Sequence, residues 1–322
     1  MTSNKINSYQ LEEYAMNLNY DNVIKVVKLG RFQFLLGSFL YFCTGAFLAV
    51  LLNAEFSLSK FLLGYAILFT AQLSMHYSND YFDLETDKYG KPSQFAGGSG
   101  ILVKNPELKK FSKWFSVVLL SLSLIIAVVF VLLFSYPLWF FLFMVFANLL
   151  GWFYAAPPIR LSYNKLGELA TISAGFVMPA IGYLTLMGTI DMPFIIFSIP
   201  LLLYQMLFIC AVQIPDMEGD KLGGKITWIV SKGRKFGFKI IVVSGILATL
   251  SFFSISITSL YPPILNFKVI ALISIIPLSL AILSYLRRTE NRKSAIHLIN
   301  KNLISLTIFL TLTNFYFLYL IK

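Results

Sequence analysis

Residues 112–134 read SKWFSVVLLSLSLIIAVVFVLLF, and after Lys113 the run carries no charge. As an α-helix it is about 35 Å long, enough to cross a hydrocarbon core of about 30 Å. Similar runs recur near 32–52, 59–79, 138–156, 166–186, 192–212, 237–258, 265–285 and 302–321. Nine spans are therefore predicted, separated by short polar breaks. Composition agrees. Of 322 residues, 57% are hydrophobic and 13% charged, with a mean hydropathy of +0.75. A soluble domain carries about 25% charged residues, so that class is excluded.

What remains between the spans is too short for a separate soluble domain, so residues 1–322 are expected to form one unit. Its polar parts are an N-terminal segment, 1–31, and two long connections, 80–111 and 213–236. The N-terminal segment lacks the basic start and apolar run of a signal peptide. Its stretch 9–30 mixes Leu, Tyr, Met, Ile and Val with charges and reads as an amphipathic helix in the membrane interface. Cys43 and Cys210 both fall inside apolar runs and read as small core residues.

The breaks alternate in charge. Lys5, Lys25, Lys28 and Arg31 precede the first span, and the breaks after spans two, four, six and eight hold most of the other basic residues. Of 26 Lys and Arg, only Lys60, Lys268 and the terminal Lys322 lie elsewhere. The positive-inside rule then puts the N-terminus and long connections in the cytoplasm and the C-terminus outside. The net charge of +11 is thus accounted for by topology and does not call for a nucleic-acid partner.

The 15 acidic residues are distributed differently. Asp80, Asp83, Glu85 and Asp87 end the second span; Asp216, Glu218 and Asp220 end the sixth. The windows share the pattern D-[LM]-E-x-D-K-x-G with a Lys soon after, which suggests an internal duplication. If each helix continues through its end, Asp80, Asp83 and Asp87 share one face, as do Asp216 and Asp220, while Glu218 points elsewhere. Two such clusters facing one another repel unless a cation lies between them. Hard oxygen ligands, few per ion, favour Mg²⁺ completed by water and phosphate oxygens. The nearby bases Lys88, Lys91, Lys221, Lys225, Arg31 and Arg160 suit a diphosphate. Ala96-Gly97-Gly98-Ser99-Gly100 reads as a flexible loop, with backbone N–H donors to that anion as the alternative.

These residues resemble a known family. Asn79-Asp80-Tyr-Phe-Asp83-Leu-Glu-Thr-Asp87 is similar to the NDxxDxxxD motif of the UbiA superfamily of membrane prenyltransferases, and Asp216-Met-Glu-Gly-Asp220 to its DxxxD motif. Tyr154-Ala-Ala-Pro157-Pro158-Ile-Arg160-Leu resembles a Y-x-x-P-P-x-R/K-L segment of that family. The chain departs at Arg31-Phe32, where members often have Arg-Pro. The resemblance implies an all-α polytopic membrane protein, nine transmembrane helices around a central cavity, capped by the second and sixth connections. It implies a polyprenyl diphosphate donor whose tail leaves laterally into the lipid bilayer, and an electron-rich, usually aromatic acceptor. Asp80, Asp83, Asp87, Asp216 and Asp220 are then the expected catalytic and Mg²⁺-binding residues. Asn79, Arg31, Lys91, Arg160, Lys221, Lys225, Tyr154 and Tyr77 are the expected contacts to diphosphate and prenyl group, with Tyr77, Phe82 and Tyr154 shielding the allylic cation.

His76, one turn before Asp80, reads first as a structural histidine and second as a group facing the acceptor. The GGSG-Ile-Leu-Val stretch and the Tyr-x-x-Pro-Pro segment look closest to menaquinone-type enzymes acting on dihydroxynaphthoate. The expected location is a prokaryotic cell membrane with the site facing the cytoplasm. Two alternatives stay open at this point: a transporter of a divalent cation or anionic metabolite, and a terpene cyclase on the same scaffold.

Overall fold

The computed structural model describes residues 21–322. The expected interfacial helix therefore lies partly outside the described residues; within them, 21–29 are helical. Nine further helices carry the architecture among the described residues. They are α1 Gln33–Leu51, α2 Leu58–Phe82, α3 Lys109–Phe134, α4 Leu138–Trp152, α5 Gly167–Met187 and α6 Met192–Gln213. Then follow α7 Arg234–Ile255, α8 in two pieces (Phe267–Ile273 and Ile275–Leu286), and α9 Arg292–Ile321.

Eight of the nine predicted runs are helices long and apolar enough to cross a membrane. The exception is α4, whose 15 residues span about 22 Å. It was expected over 138–156 but stops at Trp152. Beyond it the chain folds back, Leu161 N–H donating to the Phe153 carbonyl and Ser162 N–H to Tyr154, and Pro157 and Pro158 have no N–H with which to continue a helix. The break in α8 lies at Ser274, one turn before Pro277, whose ring crowds the carbonyl four residues back. α9 begins ten residues before its predicted apolar run, because the Asn291 side chain caps the Ser294 N–H at 3.1 Å and the helix extends out of the apolar layer.

The helices are inverted relative to those of a soluble bundle. On α3, Val118, Leu122, Ile125, Val129 and Leu132 recur at helical spacing and are exposed, whereas Ser112, Ser116, Ser123 and Ala127 are fully buried. The buried serines face α2, where Ser112 and Ser123 donate to the carbonyls of Tyr77 and Ile67 at 2.8 and 3.0 Å. Small and hydroxylated residues at helix interfaces are what packing in lipid favours, since lipid-facing apolar groups gain nothing by contacting one another.

α1 packs along α5, α5 along α6, α6 along α7, and α9 returns to α1, closing the helices around an interior space. Asn314 on α9 donates to the Leu40 carbonyl and the Thr44 hydroxyl of α1, both at 3.0 Å. The α1–α5 contact depends on two glycines. A Cβ on Gly45 would collide with the Pro179 carbonyl, and one on Gly182 with that of Phe42. Gly182→Val is therefore expected to cost about 1–3 kcal/mol by overpacking, seen as a lower Tm in detergent. Gly37→Ala, which meets nothing within 4 Å, leaves Tm unchanged; equal Tm for both variants would remove this account of the interface.

Candidate active site

The interior space is a cavity of about 400 Å³. Residues of α1, α2, α4, α5, α6 and α9 line it, most of them apolar, and the two acidic windows form its polar end.

α2 does not run on through its motif, as the shared-face reading assumed. It ends at Phe82; Asp83 caps it, its N–H donating to the Asn79 carbonyl at 2.8 Å, and a short helix, Leu84–Asp87, restarts. α6 ends similarly at Gln213, passes through a tight 3₁₀ turn containing Pro215, and restarts as Met217–Leu222. The two short helices pack against each other. A Cβ on Gly219 would lie 2.9 Å from the Gly90 Cα, and one on Gly223 would strike the Thr86 side chain. The Thr86 hydroxyl also donates to the Gly223 carbonyl at 3.2 Å. In the shared pattern Thr86 corresponds to Gly219 and Gly90 to Gly223. The contacts are thus reciprocal, as across a local two-fold axis.

This crossing brings the aspartates together in cross-motif pairs. Lys225 Nζ lies 2.8 Å from Asp83 Oδ2 and 3.8 Å from Asp220 Oδ1, bridging the first pair. The second pair, Asp87 and Asp216, meets the glycine loop. Gly97 N–H donates to Asp216 Oδ2 at 2.6 Å, and Gly98 lies so close to the Asp87 carboxylate that any Cβ would collide with it. Ser99 reaches the fifth carboxylate, Asp80, through its N–H at 3.3 Å and through its hydroxyl. The loop's N–H groups at Gly97 and Ser99 are therefore directed at carboxylates in this structure. Arg31 anchors the loop by donating to the Gly97 carbonyl at 2.7 Å.

The electrostatics follow from this crowding. Burial and the neighbouring Asp80 charge push the Asp87 carboxyl up to about 8. Burial opposes the Lys225 ammonium, but Asp83 and Asp220 outweigh it and raise its pKa well above that of a free lysine. Tyr163 donates its hydroxyl to Asp83 Oδ1 at 2.8 Å, and burial holds that phenol up to about 12, fully protonated at neutral pH.

Of the residues expected to contact substrate, Arg31, Asn79, Tyr154 and Lys225 line the cavity with the five aspartates. Lys91 and Lys221 are exposed and do not line it. Motif two carries one extra glycine, Gly224, at φ +81°, and the turn it permits precedes the inward-pointing Lys225. Arg160 stacks over the Tyr163 ring at 3.8 Å outside the cavity. Tyr77 also lies outside: its hydroxyl bonds the Val26 carbonyl at 2.8 Å and its ring packs on Phe115. At about 100° per residue, Tyr77 sits more than a quarter turn from the face shared by His76, Asp80 and Asp83. Phe82 likewise packs on Trp152. The aromatic rings that do line the polar end are Phe34, Phe95 and Phe208, with Phe34 edge-on to the other two at 6.4 and 6.3 Å.

Two further residues hold the site from outside. Arg234, buried at the start of α7, donates to the Ile214 carbonyl at 3.0 Å and forks onto Glu218, the acidic residue that points away from the cavity. Arg292, opening α9, donates to the Pro215 carbonyl at 2.8 Å and to the Lys91 carbonyl. α7 and α9 thereby grip the two motif regions.

Among the described residues, no three His, Cys, Asp or Glu side chains converge on a closed metal shell. Mg²⁺ does not need one, because it takes one or two carboxylates and completes its octahedron with water and phosphate. The donors are all hard oxygens, and Asp216 Oδ1 and Asn79 Oδ1 are buried without a hydrogen-bond partner. Together with the raised Asp87, this donor set fits a divalent cation.

A cavity among membrane-spanning helices that ends in paired carboxylates and cations has the polarity gradient of an amphiphilic phosphate ester. The sequence matches the UbiA prenyltransferase family over residues 39–306, and the chain belongs to that family. It is an integral, multi-pass prenyltransferase that works within the membrane, and the transporter alternative falls away. The fold is similar to that of a UbiA homolog from Archaeoglobus fulgidus solved with GPP and Mg²⁺, at 18% identity and a TM-score of 0.71, covering 92% of this chain and 99% of that one. It is also similar to a digeranylgeranylglyceryl phosphate synthase (20% identity, TM-score 0.64, 93% and 99% covered). A UbiA homolog from Aeropyrum pernix K1 matches at 15% identity and a TM-score of 0.63, over 85% of this chain and 96% of that one. No curated protein gives a significant match.

Because Gly219 meets Gly90 backbone to backbone, Gly219→Val must push the motifs apart. Prenyl-transfer activity is expected to fall at least about a hundredfold, since misplacement by about 1 Å costs that much. The variant should still elute from gel filtration as wild type does; full activity would mean that the crossing does not set the site.

Proposed function

We propose that this enzyme transfers a prenyl group from a polyprenyl diphosphate to an aromatic acceptor of the dihydroxynaphthoate kind, in quinone biosynthesis, and that it requires Mg²⁺. One observation carries the reading: five aspartates and a lysine from two distant windows meet at the end of an apolar cavity. The A. fulgidus homolog solved with GPP and Mg²⁺, and a second structure of it with DMAPP and Mg²⁺, support the same donor class here.

Asp80, Asp83, Asp87, Asp216 and Asp220 hold Mg²⁺, with Asn79 beside them. Held by these residues, Mg²⁺ would supply charge neutralisation for the diphosphate leaving group. Lys225 and Arg31 add positive charge at the same end, pre-positioned by Asp83 and the Gly97 carbonyl. The electron pair of the broken bond stays with the diphosphate, the ring carbon of the acceptor bonds to the allylic carbon, and that ring carbon then gives up its proton to the released diphosphate, which restores the aromatic ring. Phe34, Phe95, Phe208 and Tyr154 face the cationic carbon and keep water from it. The apolar walls from α1, α5 and α9 take the tail. The charge bias of the connections supports a cytoplasmic position for this polar end, in a prokaryotic membrane in our reading.

Purified protein in detergent, given geranyl diphosphate and 1,4-dihydroxy-2-naphthoate, should form prenylated product with Mg²⁺ and none with EDTA. Asp83→Asn and Asp216→Asn should each lower the rate at least about a hundredfold, a loss of roughly 3 kcal/mol of transition-state stabilisation. Diphosphate release that ignores Mg²⁺, or near-normal rates in both variants, would overturn the assignment.

A further inference from the structure

The cavity wall formed by α2 carries a polar stripe that the prenyl donor does not explain. Gln72, His76 and Asn79 stand at i, i+4 and i+7 on the face that ends in Asp80, and all three line the cavity. The stripe runs about 12 Å from Asp80 toward the apolar interior. Gln72 Oε1, His76 Nε2 and Asn79 Oδ1 are buried and have no hydrogen-bond partner in the protein, and His76 is only 6% exposed. Orphaned polar atoms at this depth are costly unless a ligand satisfies them.

Their chemistry selects that ligand. The Gln72 amide nitrogen donates to the Phe34 carbonyl at 3.4 Å, and its oxygen, an acceptor only, has no partner in the protein. Asn79 Oδ1 is taken up at the cation end, which leaves Gln72 Oε1 and His76 Nε2 deeper in the cavity without partners. Gln72 Oε1 needs a donor, as does His76 Nε2 in the Nδ1–H tautomer, and neither half of a prenyl diphosphate provides one: the ionised head is all acceptor and the tail is hydrocarbon. Across the cavity, α9 presents Leu303, Leu306 and Leu310 with Thr307, whose hydroxyl donates to the Leu303 carbonyl at 3.2 Å, a largely apolar wall that suits that tail. The stripe therefore faces a second substrate. Phe34 lies 5.9 Å from the His76 ring, tilted by 36°, and provides a flat surface beside it. Gln72 and His76 are one turn apart, about 6 Å along the helix, comparable to the span between para hydroxyls on an aromatic ring.

We infer that Gln72 and His76 form the acceptor subsite, accepting hydrogen bonds from the two hydroxyls of a 1,4-dihydroxyarene whose ring rests on Phe34. The inference rests on the prenyl-transfer reading of the cavity and assigns its acceptor end to these two residues. Hydrogen bonds from the hydroxyls to Gln72 and His76 raise electron density on the ring and direct its nucleophilic carbon toward the aspartate end.

The test uses the whole protein in nanodiscs with Mg²⁺, geranyl diphosphate and 1,4-dihydroxy-2-naphthoate, and compares wild type with Gln72→Met, His76→Leu and His76→Asn. Gln72→Met and His76→Leu should each raise the acceptor KM about tenfold, the size of one lost buried hydrogen bond, and leave the geranyl diphosphate KM unchanged. His76→Asn, which restores an acceptor atom, should recover part of the loss. The 1,4-dimethoxy analogue should not be prenylated. An unchanged acceptor KM in Gln72→Met overturns the subsite even if His76→Leu fails to fold. So does a rise in the donor KM alone, efficient use of the dimethoxy analogue, or preference for a non-aromatic alcohol. Failure of the underlying prenyl-transfer reading would look different, as wild-type protein that releases no diphosphate with Mg²⁺.

Discussion

Five aspartates drawn to one end of a buried cavity repel one another, and much of the structure around them serves to make that arrangement tolerable. Two carboxylates 4 Å apart repel by about 4 kcal/mol at an effective dielectric of 20, and here five share a space walled by apolar helices. The chain offsets part of this with its own groups. Lys225 bridges Asp83 and Asp220, and Tyr163 donates to Asp83. The glycine loop turns N–H groups toward Asp216 and Asp80. What it leaves uncompensated is specific: Asp87 stays raised toward neutrality, and one oxygen of Asp216 has no partner. A site under-compensated in this way favours a further cation, and each carboxylate already has a direction imposed on it before that cation binds.

The local two-fold crossing explains how the charge is brought together without a long reach. Carboxylates on short side chains meet only if the backbones that carry them nearly touch. Small residues at Thr86, Gly90, Gly219 and Gly223 allow that approach. The same reciprocity creates two non-identical pairs. One is filled by a lysine because motif two has the additional turn at Gly224; the other abuts Gly97 and Gly98. Arg234 and Arg292 fix the carbonyls beside motif two and so tie the crossing to α7 and α9. Separation of the C-terminal helices from the rest would reach the aspartates directly.

Much of this was legible in the amino-acid order. Apolar runs near 20 residues identify helices because lipid leaves the backbone no other way to satisfy its hydrogen bonds, and acidic residues clustered against a basic background mark the site. What was not legible has physical reasons. The shared-face argument for the aspartates assumed unbroken helices, whereas α2 breaks within its motif, at Asp83, and α6 breaks just before its own, at Pro215. Tyr77 was expected at the substrate because it is aromatic and near Asp80, but helical rotation turns it toward α3. Arg234 and Arg292 were absorbed into a count of cytoplasmic charge. Their targets are backbone carbonyls, which leave no trace in the side-chain sequence. Phe34 and Phe208 were hidden by the abundance of aromatics, and only the closed bundle shows which rings face inward.

The cavity is divided along two axes, and the division follows from what its substrates have in common. Along the membrane normal, charge is confined to one end and hydrocarbon to the rest, the same gradient that a prenyl diphosphate carries along its own length. Around the circumference the walls differ: α9 presents three leucines and Thr307, while α2 presents Gln72, His76 and Asn79 below the aspartates. The first gradient orients the donor but cannot position a second, smaller molecule against it. A stripe of hydrogen-bond acceptors on one wall, supported by the Phe34 ring, provides the missing direction. Because α2 carries both that stripe and the NDxxDxxxD aspartates, the rotation of this one helix sets the angle at which an acceptor would meet the allylic carbon. The serine-lined interface with α3 fixes that rotation, so packing far from the chemistry bears directly on its geometry.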